Sequence, residues 1–156
     1  MKKVLALLAV SALLLTGCGE KEVSASSDNL PTVTTNKGEA PTIGAPAGNP
    51  PTTLVTKDII VGSGAEALPT STMTVHYTLM TWSNGQLIES SWNGGSPATF
   101  PLANVIVGWQ QGIPGMKVGG RRLLVIPSDL GYGAQGGGPI GPNETLIFVV
   151  DAIGVA

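Results

Sequence analysis

The sequence predicts an α+β fold in which a curled antiparallel sheet half-wraps one short helix. Three observations carry that expectation. From about Thr52 onward, β-type runs dominate and are broken by clusters of Gly, Pro, Asn and Ser. Only Val107 to about Ile113 reads convincingly as a helix, and one helix against such a sheet must be covered by the curl of the sheet itself. The last run is almost continuously apolar from Leu146 to Val150, as a central strand covered on both sides requires.

In chain order, Met1-Lys2-Lys3 is basic, and Val4 to Leu15 is apolar apart from Ser11, too short to span a bilayer. Residues 1–17 therefore read as a secretory signal peptide. The run ends Leu15-Thr16-Gly17-Cys18, which resembles a bacterial lipobox and implies cleavage before Cys18 and lipidation of its sulfur; an ordinary signal peptide with an incidental Cys is the other reading. Cys18 is the single Cys, so lipidation leaves no thiol for disulfides or Cys catalysis. Of 8 basic side chains, losing Lys2 and Lys3 leaves 6 against 10 acidic ones. The adjacent Arg121 and Arg122 fall in a strand pattern and make no basic patch, so nucleic-acid binding is unsupported.

Residues 18–40 form a polar stretch poor in apolar side chains, read as the lipidated Cys and a flexible spacer. Residues 41–51 are Pro-rich, and two readings stay open: a linker, or an arm whose Pro41-Thr42-Ile43 docks as an edge strand. Residues 52–156 have the length of one domain. Its predicted strands are Thr53-Val61, Thr72-Thr81, Gln86-Ser91, Ala98-Leu102, Arg121-Ile126 and Thr145-Val155. In the second, Met73, Val75, Tyr77 and Leu79 alternate with Thr74, His76 and Thr78, so one face is buried and the other wetter. Asn84-Gly85 supplies the positive φ of a tight hairpin between the second and third strands. Trp109 opens the short helix, well placed to floor a small apolar cleft.

Read in order, Thr74-Val75-His76-Tyr77-Thr78, Glu89-Ser90-Ser91, Val105-Ile106-Val107-Gly108-Trp109, Gly115-Met116-Lys117-Val118-Gly119-Gly120, Ile126-Pro127, Tyr132-Gly133 and Asn143 to Phe148 resemble the FKBP-type peptidyl-prolyl cis-trans isomerases. The resemblance covers essentially the whole domain after the spacer. It implies an FKBP-like fold and rotation of Xaa-Pro amides in an apolar cleft, with no cofactor or metal, because no covalent bond has to break. The residues it implies as catalytic are Tyr77, Glu89, Trp109 and Tyr132. Those it implies as substrate-binding are Ile88, Phe100, Val105, Ile106, Ile140 and Phe148, with the Ile106 backbone N–H as a carbonyl donor and Ile140 in a loop overhanging the cleft.

Several of these have a plainer role open beside the implied one. Trp109, Phe100 and Phe148 also suit ordinary core packing, Tyr132 suits a loop residue packing on Pro127, and Glu89 suits a surface position. His76 points to the opposite strand face from Tyr77 and reads as structural. Residues 133–141 are Gly-rich but lack the Lys-Ser/Thr ending of a phosphate loop.

The chain also departs from the family pattern. Ile88-Glu89 stands where Phe-Asp is common, Ala98 where an aromatic is common, Leu79 where Gly is usual, and Val107 where Pro or Arg is common. These departures imply weaker or altered macrolide binding and reduced turnover. The partners implied are proline-containing segments of unfolded or exported proteins, and a membrane through the lipid anchor, with the protein a monomer on the extracytoplasmic side and an outer-membrane address plausible. A proline-segment-binding chaperone module with little turnover is the alternative, and a surface lipoprotein using the domain for display is the third reading.

Overall fold

The computed structural model describes residues 29–156, so the expected signal peptide 1–17 and the lipidation site Cys18 lie outside the described residues. Six strands form one antiparallel sheet: β1 (Val55–Ile60), β2 (Thr72–Thr81), β3 (Leu87–Ser90), β4 (Ala98–Pro101), β5 (Arg121–Ile126) and β6 (Leu146–Val155). The order is β1-β5-β6-β2-β3, with β4 also pairing β2, so β3 and β4 together make one interrupted edge. The helix α1 spans Val107–Gly112. Strands β2 and β5 have the expected bounds, and the other elements end a residue or two inside them. Single 3-10 turns occupy Ser91–Gly94, Leu102–Asn104, Ser128–Leu130 and Gly133–Gln135.

Strand alternation sorts the sheet into two apolar layers. Tyr77, Leu79, Leu124, Ile126, Phe148 and Val150 face the helix and join the cluster containing Trp109, Ile113 and Met116. Their sequence neighbours Met80, Leu123, Val125, Ile147 and Val149 face the other way and, with Trp82 just past the end of β2, form a second cluster. The near-continuous apolar run of β6 therefore serves both layers.

The second layer is closed by residues 29–51. Residues 41–51 are docked, though not as an edge strand of the sheet: Ile43 forms an isolated antiparallel bridge with Val33 of the same segment and, with Leu30, both pack on the back layer. Gly44 N–H donates to Thr32 O at 2.8 Å, and the Trp82 indole donates to Gly48 O at 3.2 Å. Residues 29–40 correct the spacer expectation, since they belong to the same strap. Composition hid this because only Leu30 and Val33 of these residues pack on the back layer, and the polar contacts to Arg121 are made by the carbonyls of Thr34 and Glu39. Arg121 is fully buried, and its guanidinium donates to Asp151 at 2.8 Å, to Thr34 O at 2.9 Å and to Glu39 O at 2.7 Å. A buried cation must be paired and its donors satisfied, and two of these acceptors are strap carbonyls. Burial raises the Asp151 carboxyl above its usual range, outweighing the opposing pull of Arg121.

Candidate functional site

A cleft of about 380 Å³ opens on the helix side of the sheet. Its floor is Trp109, 4% exposed, and three rings stand nearly perpendicular to it: Phe148 at a centroid distance of 5.3 Å, Tyr77 at 5.8 Å and Phe100 at 5.9 Å. Such edge contacts are the favoured geometry for aromatic pairs. They hold the walls upright around the indole, so the box stays open while its lining stays packed. Val105, Ile106, Leu79, Asn104, Glu89 and Tyr132 complete the lining.

The placement of Trp109 follows from local constraints. Ile106 precedes the helix in an extended conformation (φ −59°, ψ 151°), and its carbonyl accepts the Trp109 and Gln110 N–H groups. A Cβ on Gly108 would stand 2.4 Å from Ile126, and one on Gly112 2.5 Å from Leu124. Both glycines therefore let α1 lie directly on β5. The Gln110 side chain donates to Val105 O at 2.8 Å. A trans planar peptide then sends the Ile106 N–H the opposite way, and no acceptor takes it among the described residues. The Trp109 indole N–H is likewise buried without a partner among them.

Polar chemistry in the cleft centres on one pair. The Tyr77 hydroxyl donates to Glu89 Oε1 at 2.5 Å. Burial, and then the bond to the Glu89 carboxylate and its charge, hold the Tyr77 phenol above its usual range, so it stays a donor at neutral pH. Tyr132 is 41% exposed at the mouth, and a Cβ on Gly137 would lie 3.0 Å from its ring, so this glycine lets the loop pass close against the phenol.

The structure brings together eight of the ten catalytic and substrate-binding residues implied by the resemblance: Tyr77, Glu89, Phe100, Val105, Ile106, Trp109, Tyr132 and Phe148 all line the cleft. The other two stand outside the lining of the cleft. Ile88 packs against the main core without lining the cleft, because β3 bulges there: Glu89 pairs with Leu79 and Leu87 with Met80. The extra residue in β3 reverses the facing across the bulge, so Glu89 meets the cleft and Leu79 supplies the aliphatic wall. Ile140 is 6% exposed in the main cluster, fastened by reciprocal backbone bonds with Gly137; it anchors the Gly-rich loop where an overhang was expected.

Asn104 and Gln110 were missed, being polar residues whose positions beside Val105 carry no sequence signal of their own. Away from the cleft, His76 stacks on Trp92 at 3.9 Å and contacts Ser91 Oγ through Nδ1 at 3.0 Å. A larger recess of about 610 Å³, between the ends of the strap and β1, contains none of these residues.

A curled antiparallel sheet with one short helix, holding an aromatic box open to solvent, defines a protein that takes a small apolar ring or loop of chain into a preformed cleft. Comparison with known proteins makes the class specific: residues 64–153 match the family model of FKBP-type peptidyl-prolyl cis-trans isomerase. The chain belongs to that family. It is 49% identical over 115 residues to a probable FK506-binding protein of Corynebacterium glutamicum, a match covering 74% of this chain and 98% of the relative. It is 42% identical over 106 residues to the outer membrane protein MIP of Legionella longbeachae, covering 67% of this chain and 45% of that protein. The crystal structure of FkpA from Escherichia coli aligns with a TM-score of 0.62 at 36% identity, over 65% of this chain and 47% of that one.

Proposed function

We propose that this protein catalyses cis-trans rotation of Xaa-Pro amides in proline-containing segments of incompletely folded exported proteins. The observation that carries the reading is the open box of three upright rings on a Trp109 floor. Rotation about the amide costs about 18–20 kcal/mol because planarity carries resonance. Uncatalysed Xaa-Pro exchange takes tens to hundreds of seconds. The twisted amide is less polar than the planar one, so a dry aromatic cleft favours it over the hydrated ground state. Trp109 seats the prolyl ring, the Ile106 N–H and Tyr132 hydroxyl receive carbonyls, and Glu89 holds Tyr77 in place as a wall. Prolyl exchange of a Leu-Pro tetrapeptide is the test. The protein accelerates it, and Trp109→Leu, which keeps an apolar filling but removes the flat floor, lowers kcat/KM by about 100-fold. A folded wild-type chain that accelerates no Xaa-Pro peptide overturns the enzyme reading and leaves the binding-module alternative. Leu79, a bulkier wall where Gly is usual, and Ala98, where an aromatic is common, favour weaker or altered macrolide binding.

The same reading places the domain outside the cytoplasm on a lipid anchor at Cys18, supported by the lipobox-like Leu15-Thr16-Gly17-Cys18 and by the membrane address in the name of the Legionella relative. A Cys18→Ser chain is then released from membranes; retention of that variant in the membrane fraction sinks the anchor.

A further inference from the structure

Three successive cleft-side residues of β5 meet α1 from its first turn to its end. Ile126 lies under Gly108, Leu124 under Gly112, and the Arg122 guanidinium donates to Gly112 O at 2.9 Å and Pro114 O at 3.2 Å. The spacings match. Two residues of strand advance about 6.7 Å, and the four from Gly108 to Gly112 rise about 6 Å. The helix thus runs antiparallel to β5 with one strand residue per helical turn. Its final carbonyls have no intrahelical donor, and Arg122 supplies one. Asp58 on β1 holds the other side of the guanidinium through bonds of 2.6 Å and 3.1 Å. Arg122 is itself largely buried, with 11% of its side chain exposed.

We propose that Arg122, held by Asp58, is a positioning residue for the isomerase cleft: it fixes the end of α1 against β5 and so sets the tilt of the Trp109 floor. The apolar contacts at Ile126 and Leu124 permit rocking along the strand; two hydrogen bonds at the far end prevent it. Removing Arg122 alone also leaves the Asp58 carboxylate beside unpaired helix carbonyls, where negative charge is unfavourable. Removing both relieves that repulsion, so the double variant is less impaired than the single one.

The proposal rests on the isomerase reading, and the test keeps the two apart by pairing activity with the indole N–H resonances of the full-length protein. Arg122→Ala lowers kcat for a Leu-Pro tetrapeptide about ten-fold with KM little changed, and shifts the Trp109 indole resonance while that of Trp92 stays. Asp58→Ala combined with Arg122→Ala recovers part of kcat, and Arg122→Lys, which keeps charge and a donor, recovers more. Should Arg122→Ala not fold, Arg122→Lys and Asp58→Asn carry the test, each moving the Trp109 resonance. Folded variants with lowered melting temperatures but wild-type kcat and an unmoved Trp109 resonance overturn the proposal. A wild-type chain without activity defeats the isomerase reading, while the resonances still report the floor.

Discussion

The two faces of the sheet are built from alternate residues of the same strands, yet they do opposite things with their apolar surface. The back layer of Met80, Trp82, Leu123, Val125, Ile147 and Val149 is covered by Leu30, Val33 and Ile43 of the strap together with Val55 and Ile59 of β1. The front layer carries a helix of six residues, too short to cover it, and the uncovered part is the cleft. The contrast teaches where binding capacity comes from. Apolar surface left open without aggregation must be held rigid, and on the front it is held by perpendicular rings and by glycines that seat α1 on β5. On the back, the buried Arg121 needs the carbonyls of Thr34 and Glu39, so covering is a requirement of stability.

That difference is most sharply broken by deleting residues 29–51. A chain beginning at Thr52 leaves the back layer bare and takes two carbonyl acceptors from the Arg121 guanidinium, and a hydrogen bond to a charged group is worth about 1.5–3 kcal/mol. Thermal unfolding with a dye that reports exposed apolar surface is expected to show loss of the cooperative transition. If the truncated chain melts at the wild-type temperature, the two faces are not divided as described.

The smallest effect concerns the front face alone. With its folded-state pKa raised, Tyr77 keeps its proton where an unfolded phenol, near pH 10, begins to lose it. This stabilisation is fully present below that pH and is lost as pH rises through the higher folded value. Ultraviolet titration should therefore show one of the two phenols ionising late, and Tyr77→Phe should remove the late component. Complete ionisation in one ordinary step would falsify the burial and Glu89 pairing assigned to Tyr77.

Much of the architecture was legible in the residues. The alternation through Tyr77 and Leu79 reports a face, and the bounds of β2 and β5 follow from their β-type runs and the turn residues beside them. Trp109 at the head of a short helix announces a floor. Less legible were Ile88 and Ile140, because a bulge and a loop anchor are settled by the partner strand and by core volume. The strap was missed in its first half for a related reason: Leu30 and Val33 are too few to stand out in a polar segment, and the carbonyls of Thr34 and Glu39 that bind Arg121 leave no mark in the sequence.

By itself the sequence determined the strand periods, the hairpin turn at Asn84-Gly85, the single helix and the identity of the rings, since each depends on residues within a few positions of one another. Only the tertiary structure decided that Arg121 reaches a carbonyl 87 residues earlier in the chain, that Arg122 takes Asp58 from another strand and the carbonyls ending α1, and that Glu89 faces Tyr77. Local pattern sets which way a side chain points. The groups it meets there depend on how the sheet curls and on which segments arrive to cover it.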